Sequence, residues 1–184
     1  MHDVHFLTGN KGKWQIAANV FARYGVTLAQ LDIDVPEIQS LDVAEVASAA
    51  VQAAAHPSGI IVKSDVGYYF EALNGFPGPL IKFINKSLAA EDILALMSGK
   101  TNRRVELREC LACRMPDGRI QLFQHSYYAQ VALSARGKGT PANQVLVIEG
   151  FDRTIGECSV QELQDFWADN LNAYHQAAQM IAGS

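Results

Sequence analysis

The sequence has little of what three broad classes of protein require. It contains only three cysteines, an odd number that cannot pair fully within one chain, which excludes a disulfide scaffold and fits a reducing compartment. No stretch approaches the roughly 18 uninterrupted apolar residues of a membrane span. The first residues also lack a basic segment followed by an apolar one. We therefore expect a soluble, cytoplasmic protein with no membrane partner.

Positive charge and metal-ligand patterns are equally scarce. The 15 Lys and Arg residues are outnumbered by 19 Asp and Glu, and the net charge is −4. A protein that binds along nucleic-acid backbone needs a clustered excess of Lys and Arg, so we expect no nucleic-acid partner, and any phosphate recognition must be local. The five histidines show no ligand-like spacing and are interpreted as surface or packing residues: His2, His5, His56, His125 and His175.

The pair Cys110-Leu-Ala-Cys113 resembles half of a metal or redox site. It lies in a stretch, Arg104 to Met115, that is predicted to be a strand, where positions three apart point to opposite faces. No second pair exists to complete a zinc site. We interpret both thiols as small apolar core residues, and rapid alkylation in the folded protein would revive the redox alternative.

What the chain does contain is a regular alternation of strands and helices. Strands are predicted at Val4 to Leu7, at Val26 to Val35 and from Ile60, with helices after the first strand and over Asp42 to Ala55. His56-Pro57-Ser58-Gly59 ends the second helix. This β-α-β-α-β order implies parallel strands with right-handed crossovers. With 184 residues, about half of them apolar, residues 1–184 are predicted to form a single α/β domain.

The rest of the chain reads differently. A shaped loop at Asn74 to Pro79 precedes two short helices, and a hairpin of two long strands is joined by Pro116-Asp117-Gly118. Residues 134 to 144 are predicted to be a loop before a short strand, Val145 to Ile148. The capping box Ser159-x-x-Glu162 opens a last helix predicted to continue through Ile181.

One candidate for phosphate binding is the turn Thr8-Gly9-Asn10-Lys11-Gly12-Lys13, between the first strand and its helix. The N–H groups and positive dipole end of a helix attract anions. Thr8 and Asn10 can add hydrogen bonds, and Lys13 supplies a formal charge. The alternative is an ordinary strand-to-helix turn with solvated lysines.

Two acids follow the other predicted parallel strands, Glu37 after the second and Asp65 after the third. Loops after parallel strands converge on one sheet edge, so both acids should lie beside the Thr8–Lys13 turn. Carboxylates and phosphates repel each other unless a cation intervenes, and Mg²⁺ bridges these oxygens. The pattern predicts a magnesium-assisted phosphate site, although either acid alone is typical of a solvated loop.

Three stretches then resemble the inosine triphosphate pyrophosphatase family, whose members hydrolyse inosine and xanthosine triphosphates and their deoxy forms. They are Thr8-Gly9-Asn10-x-x-Lys13, Pro36-Glu37-Ile38-Gln39, and Ser64-Asp65-x-Gly67 followed by Ala72-Leu73-Asn74-Gly75-Phe76-Pro77-Gly78-Pro79-x-Ile81-Lys82. The resemblance implies an α/β fold of two lobes on one long, mixed, twisted sheet with flanking helices. It also implies a homodimer and a Mg²⁺-dependent nucleoside triphosphate diphosphatase that releases monophosphate and pyrophosphate.

The same resemblance assigns roles. Glu37 and Asp65 would serve the metal and the attacking water, with Lys13 as a third catalytic group. Thr8, Asn10, Lys13, Ser64, Gly67 and Lys82 would contact the substrate.

The sequence departs from the family where the base is recognised. After Arg136-Gly137, the family's aromatic and aspartate positions fall on Thr140, Ala142 and Asn143, and Ala173-Tyr174-His175 replaces Ser-His-Arg. We hypothesise that Asn143, Tyr174 and His175, with Gln144 as a further candidate, line a different base pocket; the alternative is that they pack or face solvent. An acid is also usual where Ser64 stands. These departures keep open a non-catalytic nucleotide-binding or regulatory protein of the same fold.

Overall fold

The computed structural model describes residues 3–55 and 58–183. The first elements follow the predicted order: β1 (Val4–Leu7), α1 (Lys11–Ala22), β2 (Leu28–Leu31), α2 (Val43–Ala53) and β3 (Ile60–Phe70). Strand β2 is shorter than predicted, because the segment after it is largely exposed and ends in Pro36, so it offers no buried face. The predicted helix terminators His56 and Pro57 lie outside the described residues.

The remaining elements are β4 (Pro77–Gly78), α3 (Ile81–Ser87), α4 (Ala90–Leu96), β5 (Arg104–Arg114), β6 (Ile120–Val131), α5 (Pro141–Val145), β7 (Leu146–Ile148), α6 (Val160–Asn170) and α7 (Asn172–Ala182). Short 3-10 turns occupy Glu71–Leu73 and Ile155–Glu157. The segment predicted as a loop before β7 therefore contains a helix, which Thr140 caps by accepting a hydrogen bond from the Asn143 N–H.

The prediction of one last helix was wrong in one respect, because the segment forms two helices, α6 and α7. Its capping box is present, since the Ser159 and Glu162 backbone N–H groups each donate to the other's side chain. Leu171, however, leaves helical geometry (φ −72°, ψ 72°) and is buried in the core. Burial of this leucine accompanies the break between α6 and α7.

Seven strands of the described chain form one mixed sheet in the order β2-β1-β3-β5-β6-β7, with β4 paired to β3. The pairs β1–β2 and β1–β3 are parallel, as predicted. The pairs β3–β4 and β6–β7 are antiparallel. The expected α/β architecture, a mixed sheet flanked by helices, is confirmed.

The described residues divide into two compact units. The first contains the chain through Asp65, Glu109–His125 and the chain from Gln164 onward; the second contains Val66–Arg108 and Ser126–Leu163. In residues 3–55 and 58–183 no helix combines the length and apolar character that a membrane crossing requires.

The first unit buries both faces of its sheet. On one face, Phe6, Val62 and Cys113 pack with α1 and α7. On the other, Leu7, Ile61 and Cys110 pack with α2. Because strand side chains alternate between faces, neighbouring residues enter different halves of the core, which is usual for parallel strands covered by helices on both sides.

The second unit contains the shaped loop that the sequence predicts at Asn74 to Pro79. Its glycines Gly75 and Gly78 have φ of 86° and 58°, a region that glycine adopts without strain. Helix α4 packs against α5, and the Asn85 side chain accepts a hydrogen bond from the Ala142 N–H. The Arg108 guanidinium lies over the Tyr69 ring, 4.1 Å from its centroid.

Candidate active site

The turn between β1 and α1 is ordered by its own side chains. The Thr8 N–H donates to the Leu31 carbonyl at 3.0 Å, which ties the turn to β2. The Asn10 N–H donates to Thr8 Oγ1 at 3.1 Å, and Asn10 Oδ1 accepts from the Lys13 N–H at 3.0 Å. Asn10 is therefore the N-cap of α1. The two residues predicted to bind phosphate shape the start of the helix.

Lys13 extends from the first turn of α1 to the third strand. Its Nζ donates to the Ser64 carbonyl at 2.9 Å. Burial lowers the pKa of Lys13 below its ordinary value of 10.5, the Asp65 carboxylate acts in the opposite direction, and Lys63 lowers it further. The carboxylates of Glu109 and Glu37 also raise it. The ammonium is thus partly withdrawn from water, and most of the charged groups that act on it are negative.

These electrostatic neighbours show which predicted residues the fold brings together. Glu37 follows β2 on an exposed segment, and Asp65 is a half-buried residue of β3. Both lie close enough to affect the Lys13 ammonium. The sequence predicts that these residues converge, and Lys13, Glu37 and Asp65 all belong to the first unit; their joint role in one site stays a prediction.

Ser64 is held from two sides. It is 3% exposed, its carbonyl accepts from Lys13 Nζ, and its Oγ accepts from the Tyr174 hydroxyl at 2.6 Å. Tyr174, also 3% exposed, belongs to α7 and packs near Phe6, with 6.0 Å between the ring centroids. Helices α1 and α7 together fix the backbone immediately before Asp65.

The two residues of α7 assigned to a base pocket have partners within the first unit. His175 Nδ1 lies 3.1 Å from the Tyr24 hydroxyl, and its Nε2 lies 3.1 Å from the Ala168 carbonyl. The Tyr174 hydroxyl is directed to Ser64. This arrangement favours the alternative interpretation, in which Tyr174 and His175 pack rather than contact a base.

Gly67, Lys82 and Asn143 belong to the second unit. A Cβ on Gly67 would lie 2.7 Å from Cε2 of Tyr69, so the tyrosine ring occupies the space beside the glycine. Lys82 is exposed on α3, and Asn143 is half-buried in α5. Packing against Tyr69 explains why a glycine stands at position 67. The substrate contacts of Gly67, Lys82 and Asn143 stay predictions.

Sequence reasoning missed two charged neighbours of Lys13, namely Glu109 and Lys63. Glu109 is 5% exposed and immediately precedes an apolar run of β5, from Cys110 to Cys113. A single acid on a strand face predicted to be buried was the available signal. Lys63 directly precedes Ser64 within β3.

The two cysteines of β5 confirm the alternation expected of a strand. Cys113 belongs to the cluster on the α1 and α7 face, and Cys110 to the cluster on the α2 face. Burial raises the pKa of each thiol to about 12. Both are free thiols, as is Cys158. Because the two thiols lie on opposite faces of the strand and their ionisation is suppressed, they do not favour a shared redox or metal site.

The acids beside Lys13 fit a metal ion that the substrate helps to hold. Within residues 3–55 and 58–183, no three His, Cys, Asp or Glu side chains are grouped to hold a metal by themselves. Mg²⁺ commonly takes one or two carboxylates and completes its shell with water and substrate phosphates. Glu37 and Asp65 have the oxygen chemistry for that kind of site, and a closed protein cage is absent from the described residues.

Comparisons with known proteins show the family of the chain. Residues 4–167 match the model of the Ham1 family. The chain is 35% identical over 161 residues to the dITP/XTP pyrophosphatase of Methanopyrus kandleri, covering 86% of each chain. It is 33% identical over 159 residues to the dITP/XTP pyrophosphatase of Thermococcus kodakarensis, covering 85% of each.

A solved structure shares the fold. The HAM1 protein of Coxiella burnetii superposes with a TM-score of 0.82 over 100% of both chains at 18% sequence identity. The resemblance to the inosine triphosphate pyrophosphatase family is thereby confirmed, and the chain belongs to the Ham1 family.

Proposed function

We propose that this chain is a nucleoside triphosphate pyrophosphatase that converts non-standard purine nucleotides, of the deoxyinosine and xanthosine triphosphate type, to monophosphate and pyrophosphate. The observation that carries the proposal is the partly buried Lys13 ammonium, which donates to the Ser64 carbonyl and is acted on by the carboxylates of Asp65, Glu109 and Glu37. Relatives at 35% and 33% identity are dITP/XTP pyrophosphatases, which supports the same reaction and substrate class here.

The reaction would use these residues as follows. A water oxygen attacks the α-phosphorus in line with the bond to the β-phosphate, that P–O bond breaks, and pyrophosphate leaves. Asp65 orients the water and takes its proton, and the Lys13 ammonium stabilises charge on the departing phosphates. Thr8 and Asn10 shape the helix start whose N–H groups face anions. Ser64, Gly67 and Lys82 remain proposed substrate contacts.

Glu37 and Asp65 are the groups proposed to hold Mg²⁺. When bound, the ion would neutralise phosphate charge and polarise the reacting phosphoryl group. The charge balance supports a cation. The carboxylates of Asp65, Glu109 and Glu37 face the ammonium groups of Lys13 and Lys63, which leaves one negative charge in excess before any triphosphate binds. A polyanion entering that field is repelled without a counter-ion.

A product assay tests the proposal. The protein, with Mg²⁺, is offered deoxyinosine, xanthosine, adenosine and guanosine triphosphates, and pyrophosphate and orthophosphate are measured separately. We expect pyrophosphate from the first two, with orthophosphate absent and turnover stopped by excess chelator and restored by Mg²⁺. Orthophosphate as the product would place the cleavage at another bond. Activity that persists in chelator would remove the metal role from Glu37 and Asp65.

The second candidate is a nucleotide-binding or regulatory protein without turnover. The observation that favours it is the altered base-recognition segment, in which Tyr174 bonds Ser64 and His175 bonds Tyr24. Binding of deoxyinosine triphosphate without any product would favour it. Against it stand the acids beside Lys13, because a protein that only binds phosphate gains nothing from placing carboxylates there.

Two further properties are part of the proposal. A homodimer is expected from the family resemblance, and measurement of the mass in solution tests it. Cytoplasmic location is supported by the free thiols Cys110, Cys113 and Cys158, which persist in reducing compartments.

A further inference from the structure

Glu109 is an acid where the fold would otherwise place an apolar residue. It is one of three buried polar or charged residues of the described chain, with 5% of its surface exposed, and the others, Ser64 and Thr154, are uncharged. A buried carboxylate costs considerable free energy unless opposite charge or hydrogen-bond donors compensate for lost hydration. Its position therefore calls for a specific electrostatic partner.

The alternation of β5 places Glu109 on the face that carries the site. Leu111 and Cys113, two and four residues later, pack in the cluster with α1 and α7, and residues i, i+2 and i+4 of a strand share a face. On the neighbouring strand β3, the same cluster includes Ile60 and Val62, and the next residue of that register is Ser64.

Two helices contact Ser64, and β5 contributes a third group, Glu109, on the same face. Lys13 of α1 donates to its carbonyl at 2.9 Å, Tyr174 of α7 donates to its hydroxyl at 2.6 Å, and β5 contributes Glu109. The charged groups that act on the Lys13 ammonium are Asp65 and Lys63 of β3, Glu109 of β5, and Glu37 after β2. Among the three acids, Glu109 is the buried one, whereas Asp65 is half-buried and Glu37 exposed.

We propose that Glu109 is a positioning residue of the active site, whose buried carboxylate holds the Lys13 ammonium against the Ser64 carbonyl before the nucleotide binds. This role rests on the proposed function, in which Lys13 contacts the phosphates. In that mechanism Asp65 and Glu37 serve the water and the metal. Glu109 is then the remaining acid whose negative charge can balance the positive charge of Lys13. A cation ordered in advance loses less entropy when it meets its substrate.

A double-mutant cycle tests whether Glu109 acts through Lys13. The proteins are wild type, Glu109→Gln, Lys13→Met and the double variant, and the measurement is pyrophosphate release from deoxyinosine triphosphate with Mg²⁺. We expect Glu109→Gln to lower kcat about tenfold, with KM unchanged or lower because one charge that repels phosphate is gone. In the Lys13→Met background the same change should alter kcat by less than about twofold.

Matched variants separate positioning from general damage. Glu106→Gln removes one negative charge from the same strand at a half-buried site that bonds Arg108 and Ser126, and should leave kcat near wild type. Glu109→Asp keeps the charge and should recover part of the loss. Equal losses in both Lys13 backgrounds, or a KM increase with unchanged kcat, would overturn the proposal.

Thermal unfolding without nucleotide tests the same coupling independently of activity. Removing one partner of a buried charge pair leaves the other uncompensated, whereas removing both does not. The Tm loss of the double variant should therefore be smaller than the sum of the two single losses. Additive losses would show that Glu109 and Lys13 are not coupled. If the Tm losses are not additive but the protein releases no pyrophosphate, the proposed function is contradicted while the coupling of Glu109 to Lys13 stands.

Discussion

Lys13 Nζ lies 2.9 Å from the carbonyl oxygen of Ser64, a residue 51 positions further along the chain. A neutral oxygen is a weaker acceptor for an ammonium than a phosphate oxygen, since charge-assisted hydrogen bonds are about twice as strong. The carbonyl can therefore hold the lysine extended until a phosphate group replaces it. The predictions below concern the residues around this contact and the core that supports it.

The first prediction concerns Asp65. Asp65→Asn keeps the shape of the side chain and removes the proton acceptor, so pyrophosphate release should fall at least 100-fold, a common magnitude for loss of a general base. Nucleotide binding, followed by calorimetric titration with deoxyinosine triphosphate, should stay measurable. Asp117→Asn, in the exposed β5–β6 turn, is the matched control. Near-normal turnover of Asp65→Asn would remove Asp65 from the mechanism.

The second prediction concerns His175, whose ring bonds Tyr24 and the Ala168 carbonyl. His175→Ala should lower the free energy of unfolding by about 1–3 kcal/mol, because it leaves these part-buried groups unpaired. The ranking of purine triphosphates by kcat/KM should be unchanged. Tyr24→Phe, which removes the same bond from the other side, should show the same pattern. An altered ranking at unaltered Tm would instead place His175 in the base pocket.

The third prediction is a loss of stability at alkaline pH caused by Cys110 and Cys113. Their thiols ionise near 9.0 ordinarily, and burial raises each pKa to about 12 in the folded protein. Between these values the unfolded chain binds fewer protons than the folded one, so rising pH favours unfolding. The stabilisation is complete below about pH 9 and is lost progressively toward pH 12. By pH 10 each thiol has lowered the free energy of unfolding by about 1.4 kcal/mol.

Comparison with a variant that lacks both thiols isolates this contribution. The Cys110→Ala, Cys113→Ala protein should lose less stability than wild type between pH 8 and pH 10 when urea unfolding is followed at each pH, with the two-state slope of about 1–3 kcal/mol per molar urea checked for constancy. Identical pH profiles would contradict the prediction. The same burial predicts slow alkylation of both thiols in the folded protein.

The fourth prediction concerns the space beside Gly67. A Cβ there would lie 2.7 Å from Tyr69 Cε2, and Tyr69 is buried beneath the Arg108 guanidinium. Gly67→Ala should cost about 1–3 kcal/mol of unfolding free energy, as overpacking does. In a Tyr69→Leu background, where the ring is gone, the added methyl should cost much less. Equal costs in both backgrounds would mean that the ring is not the obstacle.

Much of the candidate site could be predicted from local sequence combined with one topological rule. The turn before α1 carries its own capping residue, Asn10, and Lys13 follows three residues later. Strands β1, β2 and β3 are parallel neighbours, so residues after them meet at one edge without any knowledge of side-chain packing. That rule covers Lys13 and Glu37, whereas Asp65, predicted to follow the third strand, lies within β3, three residues beyond Val62, the last residue paired with β1.

Other parts of the site depend on tertiary packing that periodicity does not encode. Helical spacing indicates that Tyr174 is buried, but its hydroxyl meets Ser64 only because α7 packs on the same face as α1. Glu109 approaches Lys13 only because β5 lies next to β3 in the sheet. The break at Leu171 likewise coincides with burial of that side chain in the core, with no Gly or Pro at residues 170–172 to signal it.

The hydrogen bond between Tyr174 and Ser64 joins positions 110 residues apart. A chain synthesised only as far as residue 170 would hold Ser64 through Lys13 alone, with no brace from α7. Contacts of such high sequence separation form late, because long loops must close first. Assembly of the site is therefore tied to completion of the fold, and partly synthesised chains would not yet hold Asp65 in its final place.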